Sequence, residues 1–332
     1  ALFLSTSTPN VRANFDPLTL PNNQVGVHIL DTREIDQAAK LVNSSGGDWG
    51  YVTIPIRIND RDHDKWYDFF SQAQKLHLIP ILRLATYPDG GVWVKPTVFD
   101  LVDFANFLND MPWPTNNRYV ILFNEVNRAN EWGGEVNPSQ YATLLLDAKN
   151  IFKSRSADFF LLSAGLDMSA PNSSTSMDAL QFYSLMTLWQ PQWTKAIDGM
   201  AVHAYPNPGF SSSVYSSSRY GIRSYKYEPN PATLPLFITE TGWIGQPDFY
   251  TTAFKEIWTD KNIVAITPFV LSAGGEEFGK FSLTNSPAYA GLMALPKISG
   301  SPLLSNLIIS QATFVPLPST LPFPPLASYT TQ

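Results

Sequence analysis

Along the middle of the chain, short runs of aliphatic and β-branched residues alternate with longer stretches whose apolar positions recur at a helical period. The runs cover residues 25–30, 51–58, 79–85, 119–125, 159–164, 199–204, 236–240 and 264–271. Helix-period segments follow at 33–43, 64–76, 97–110, 138–154, 177–189, 213–225 and 249–260, with a short last one at 287–294. This alternation predicts βαβ units and a parallel sheet. Within the runs both parities are apolar, as in Val120-Ile121-Leu122-Phe123. That fits strands covered by helices on one face and by barrel-filling side chains on the other. Eight such units predict an α/β fold of the (β/α)8 TIM-barrel type. An open doubly wound sheet that binds a nucleotide would want a glycine-rich first turn, whereas the first run is followed by Asp31-Thr32-Arg33-Glu34. The weakest helical segment is 213–225, because residues 211–218 are serine-rich and read as a loop.

The barrel is assigned to residues 24–312. Residues 1–23 show no clear period and are expected to wrap or seal the barrel floor. Residues 313–332 carry Pro316, Pro318, Pro322, Pro324 and Pro325 and favour an extended segment, either a strap along the barrel or a linker.

Composition narrows the chemistry. At 332 residues, with 44% hydrophobic and 15% charged positions, the chain has ample material for one large core. A net charge of −6 with no Lys/Arg run argues against a nucleic-acid partner or an anionic membrane surface. No apolar run is long enough to span a bilayer. The absence of cysteine removes disulfides, thiolate catalysis and cysteine metal sites. The four histidines have no zinc-site spacing, so no metal and no cofactor is expected. The opening Ala1-Leu2-Phe3-Leu4 lacks a methionine, a hint of processing and of a secreted or cell-surface location. Nothing in the sequence sets an oligomeric state.

In a (β/α)8 barrel the working site lies at the carboxyl ends of the strands. Two apolar runs end there on a glutamate: Phe123-Asn124-Glu125 on the fourth and Ile238-Thr239-Glu240 on the seventh. A carboxylate behind a buried run is costly unless it is used. Two carboxylates facing each other over the mouth are what glycoside hydrolysis needs, one to donate a proton and one to attack or to activate water. Asp31, Asp60 and Asp167 also end strands. With the glutamates they raise the alternative of a hard-cation site, but no Lys or His base is placed to serve it.

With Asn124-Glu125 ending strand four, His203-Ala204-Tyr205 ending strand six and Glu240 ending strand seven, the sequence resembles the clan of retaining (β/α)8 glycosidases with catalytic glutamates on strands four and seven (a GH-A-like pattern). The resemblance extends over about residues 24–295. It implies a retaining glycosidase cleaving β-linked poly- or oligosaccharides, with Glu125 as acid/base and Glu240 as nucleophile. It further implies that Asn124 binds the substrate 2-hydroxyl, that Tyr205 lies near the nucleophile, and that His203 belongs to the site. Arg57 on strand two is the expected hydrogen-bond partner of the nucleophile, with Arg83 on strand three as its competitor. The pattern departs from many clan members at the end of strand eight, where Thr267-Pro268-Phe269 stands in place of a Trp.

Sugar rings stack on aromatic faces, so Trp93, Trp132 and Trp243, on strand-to-helix loops, are candidate substrate contacts. Trp66, Trp113 and Trp258 read as packing. His28 ends strand one and is a further candidate. Two other functions remain open: a glycan-binding pseudoenzyme on the same barrel, and a transglycosylase, which differs only in what intercepts the intermediate.

Overall fold

The structure, a computed structural model, describes residues 14–229 and 234–305. Residues 1–13 of the amino-terminal extension and all of the proline-rich 313–332 segment lie outside the described residues.

Eight parallel strands form the centre. They are β1 (Gly26–His28), β2 (Gly50–Arg57), β3 (Leu78–Ala85), β4 (Arg118–Ile121), β5 (Phe159–Leu162), β6 (Met200–His203), β7 (Leu236–Glu240) and β8 (Ile263–Ile266). β1 to β5 make one parallel ladder and β6 to β8 a second. Single parallel bridges, Leu162 to Gly199 and Val25 to Ile266, join the two ladders at both seams. At the second seam the His28 amide donates to Pro268 O at 3.1 Å and the Leu271 amide to His28 O at 2.8 Å. The result is the (β/α)8 barrel.

Strand parity divides the core in two. Val52, Ile54 and Ile56 of β2 face the helix layer, in one cluster with Leu82 and Leu84 of β3. Tyr51 of β2, Ile79 and Ile81 of β3, Tyr119 of β4, Phe160 of β5 and Phe237 of β7 fill the interior. Tyr119 meets Phe160 and Phe237 at 5.0 and 5.3 Å between ring centres. Gly26 is required by this packing: a Cβ there would lie 2.5 Å from Thr267 Cγ2 and 2.8 Å from Tyr51 O.

Helices α1 (Ile35–Val42), α2 (His63–Lys75), α3 (Val98–Asn109), α4 (Pro138–Arg155) and α5 (Ala179–Trp189) follow the first five strands. Their starts are set by local capping. Asp62 accepts from the amides of Asp64 and Lys65, Thr97 and Asp100 form a capping box, and Asn137 caps a helix that opens on Pro138. Trp66 and Trp113 are buried between barrel and helices.

Three expectations need correction. No α-helix forms over 213–225; among the described residues of that connection a 3-10 turn, Ser224–Tyr227, stands near its end. The serines there cap their own turns instead: the hydroxyls of Ser213, Ser216 and Ser218 accept from the amides of Tyr215, Ser218 and Tyr220. The segment after β7 is split into α6 (Asp248–Thr252) and a π-turn, Ala253–Ile257. Finally, the regular strands β4 and β8 end at Ile121 and Ile266, before the apolar runs do. Single main-chain bonds continue beyond them, from the Leu122 amide to Leu162 O at 3.0 Å and from the Thr267 and Phe269 amides to Ile238 O and Thr241 O, both at 2.8 Å. The last helix, α7, spans Pro287–Ala294.

Residues 14–23 cross the barrel floor. Phe15 and Asn117 exchange hydrogen bonds, and Tyr51 OH donates to Asn22 Oδ1 at 2.7 Å. Among the described residues no helix is long and apolar enough to cross a membrane.

Candidate active site

The opposite end of the barrel opens into a cleft of about 870 Å³ whose lining includes Glu125, Glu240, Asn124, Arg83 and Tyr205. β7 carries Glu240 directly at its end, 7% exposed. Glu125 arrives differently. After Ile121 the chain turns through Phe123 at φ +74° and Glu125 at φ +33°, both in the left-handed region that side-chain-bearing residues disfavour. The strain is held by main-chain bonds on either side. The Glu125 amide donates to Gly165 O at 3.0 Å, and the Arg128 amide to Glu125 O at 2.8 Å. Strained backbone of this kind persists only where its surroundings over-determine it.

His203, from the end of β6, joins the two carboxylates. Its Nδ1 lies 3.0 Å from Glu125 Oε1 and 3.7 Å from Glu240 Oε2. These two oxygens are therefore no farther apart than the sum of those distances, 6.7 Å. The imidazole is buried, and burial alone would lower its pKa. The Glu240 charge and the Glu125 hydrogen bond outweigh that and raise it. Glu240 is shifted the other way. Burial pushes its carboxyl up, but the charges of His203 and Arg83 and the hydrogen bond from Tyr205 bring it below its ordinary value. Tyr205 OH donates to Glu240 Oε2 at 3.0 Å, and burial raises the phenol well above its usual range, so it keeps its proton.

Arg83, rather than Arg57, is the cation whose field reaches Glu240. Strand register explains the difference. Arg83 pairs with Pro55, whereas Arg57 pairs with Ala85, so Arg83 sits one layer deeper on the inward parity. Arg57 lies higher in the cleft, its guanidinium 5.5 Å from the centre of the Trp93 ring. Trp93 comes from a short hairpin, Pro88–Asp89 with Val92–Trp93, in the loop after β3.

Three further candidates do not line the cleft. Trp132 is buried against Phe123 and Tyr141. Trp243 is buried among Phe249, Tyr250 and Trp258, its indole donating to Ser212 O. His28 is fully buried beneath the site, 3.9 Å from Glu240 Oε1 and edge-on to Phe269. Burial lowers its pKa to about 3, so it is neutral and touches Glu240 from below.

Phe269 reaches the cleft in place of a strand-eight Trp. It belongs to an aromatic group with Phe278 and Phe281, which Phe210 joins from the β6 loop. Lys280 stands over the rings of Phe210 and Phe281. Sequence reasoning singled out Phe269 but missed Phe210, Phe278 and Phe281 around it, and it missed Glu131, a further carboxylate in the cleft wall. A glutamate on the loop directly after β4 was the available signal. Asp31, Asp60 and Asp167 are each taken by a cation, Arg33, Lys65 and Arg128 respectively, at 2.6 Å. Among the described residues no cluster of His, Asp or Glu is arranged to hold a metal ion.

No protein-family model matches the chain. No curated protein sequence matches it either. Solved structures do. A family 128 (subgroup II) endo-β-1,3-glucanase from Sorangium cellulosum superposes with a TM-score of 0.56 at 12% identity, over 82% of this chain and 98% of that one. A β-glucanase from Saccharophagus degradans, in complex with cellotetraose, gives 0.54 at 14% identity over 85% and 95%. A β-mannanase from Thermomonospora fusca gives 0.51 at 16% identity over 79% and 83%. At these identities the likeness shows the fold: this chain is a (β/α)8 barrel of the kind those glycoside hydrolases have.

Proposed function

We propose that the protein is a retaining glycoside hydrolase acting on β-linked poly- or oligosaccharides, with Glu125 as acid/base and Glu240 as nucleophile. One observation carries the reading: two carboxylates, one from the turn after β4 and one from the end of β7, converge on one imidazole at an open cleft. A ceiling of 6.7 Å between their bridged oxygens admits the roughly 5–5.5 Å of a retaining pair.

The hydrogen bonds divide the labour between oxygens. Oε1 of Glu125 accepts from His203, which leaves Oε2 to carry the mobile proton. Oε2 of Glu240 accepts from Tyr205, which leaves Oε1 to attack. In the first step Glu125 Oε2 protonates the glycosidic oxygen, the bond from that oxygen to the anomeric carbon breaks, and Glu240 Oε1 forms an ester to that carbon. In the second, water gives a proton to Glu125 and its oxygen displaces Glu240, so the anomeric configuration is kept. The lowered pKa of Glu240 keeps it ionised for attack. Asn124, beside Glu125, binds the 2-hydroxyl, and the Arg57–Trp93 pair and the Phe269 group contact sugar rings. The mechanism needs no cofactor, and an extracellular or surface location suits a polymeric substrate.

The test is Glu240→Ala assayed on aryl β-glycosides. Turnover is expected to vanish with the fold intact, and azide to restore it by forming the α-glycosyl azide. Undiminished hydrolysis by this variant overturns the assignment.

A further inference from the structure

We infer that Glu131 is a positioning residue that fixes the side-chain amide of Asn124, and thereby sets how strongly the site depends on the substrate hydroxyl next to the anomeric carbon. The inference rests on the glycosidase reading and deepens it.

Glu131 and Asn124 are seven residues apart, yet Asn124 Nδ2 donates to Glu131 Oε2 at 3.2 Å. A carboxylate oxygen accepts hydrogen bonds, so the contact decides which end of the amide faces it. The nitrogen is turned to Glu131 with one N–H engaged, and one N–H is left over. Asn124 Oδ1 is buried and has no hydrogen-bond partner. The free donor is thus what Asn124 offers to a ligand in the cleft, where both residues sit in the lining. The Glu131 contact is the side-chain hydrogen bond that fixes this orientation of the amide.

Glu131 is itself firmly held. It ends the 3-10 turn Ala129–Glu131. The Ala129 amide donates to Thr175 O at 2.8 Å and the Gly133 amide to Trp93 O at 2.9 Å, tying the turn to the β5 and β3 loops. Next to it Trp132 is buried, which anchors the loop from beneath. Retaining a third carboxylate beside Glu125 and Glu240 is costly: burial and the charges of those two glutamates push its pKa up, against the Asn124 hydrogen bond and Arg83. A fixed carboxylate kept at such a place, bonded to the side chain that neighbours the acid/base, has positioning as its use.

The test compares wild type, Glu131→Ala, Glu131→Gln, Asn124→Ala and Asn124→Ala/Glu131→Ala on 2,4-dinitrophenyl β-cellobioside and on its analogue lacking the 2-hydroxyl of the reacting sugar. Glu131→Ala is expected to lower kcat/KM at least tenfold on the parent glycoside, chiefly through kcat. It should cost nothing further on the Asn124→Ala background and nothing on the deoxy analogue. Glu131→Gln, which retains an acceptor oxygen, should stay within about threefold of wild type. An equal loss on the deoxy analogue or on the Asn124→Ala background overturns the inference and leaves the glycosidase reading standing. If wild type cleaves neither glycoside, amide NMR decides the coupling alone. The Asn124 side-chain signals, identified by their loss in Asn124→Ala, should move in Glu131→Ala and return in Glu131→Gln. Signals that stay in place in Glu131→Ala overturn it.

Discussion

Gly165 stands where any side chain would enter the imidazole of His203: a Cβ there would lie 2.6 Å from Nε2. The same residue's carbonyl accepts the Glu125 amide. A glycine just past the end of β5 therefore leaves room for the histidine that bridges the two glutamates, and holds the backbone of one of them. Gly165→Ala is expected to displace His203 and cut kcat/KM by tenfold or more. Overpacking a filled site costs about 1–3 kcal/mol of stability. Thermal unfolding and steady-state kinetics on one preparation check both parts; a variant with wild-type activity contradicts the role given to His203.

The hydrogen bond from Tyr205 to Glu240 has a pH signature. It helps hold the Glu240 carboxyl below its ordinary value, so Tyr205→Phe raises that pKa. Glu240 must be ionised to attack, so activity is lost as pH falls through its pKa. The acid limb of kcat/KM is expected to move to higher pH in Tyr205→Phe, with the alkaline limb less affected. An acid limb that stays in place removes Tyr205 from the control of the nucleophile.

Glu228 gives a prediction about stability. It is buried beside Tyr183, and burial raises its carboxyl to about 7 from an ordinary 4.5. Between those values the folded chain binds the proton and the unfolded chain does not, so stability falls as pH rises from about 4.5 to 7. A shift of that size corresponds to about 3 kcal/mol at most. Glu228→Gln is expected to raise Tm at pH 8 and leave it nearly unchanged at pH 4.5. Equal effects at the two pH values contradict the assigned protonation.

Sequence pattern carried much of this structure because its strongest signals are local. Eight apolar runs sit where eight strands form, and a glutamate behind a buried run is visible without coordinates at Glu125 and Glu240. What was not legible depended on register or distant partners. Arg57 and Arg83 share an inward parity, and only the pairing of Arg83 with Pro55 shows which lies deeper. Trp132 and Trp93 both occur in loops, but one is buried on Tyr141 and the other faces the cleft. The helix expected over 213–225 lost to serine hydroxyls capping their own turns, a competition that apolar periodicity does not register.

The anomeric configuration of the first-formed product tests the account most directly. Proton NMR is followed during cleavage of a β-linked oligosaccharide under conditions where mutarotation is slow. Two glutamates converging on His203, with Glu240 as the attacking group, predict that the β-anomer appears first and the α-anomer only later, by mutarotation. An α-anomer formed first means that water attacked directly, and contradicts a glycosyl-enzyme on Glu240.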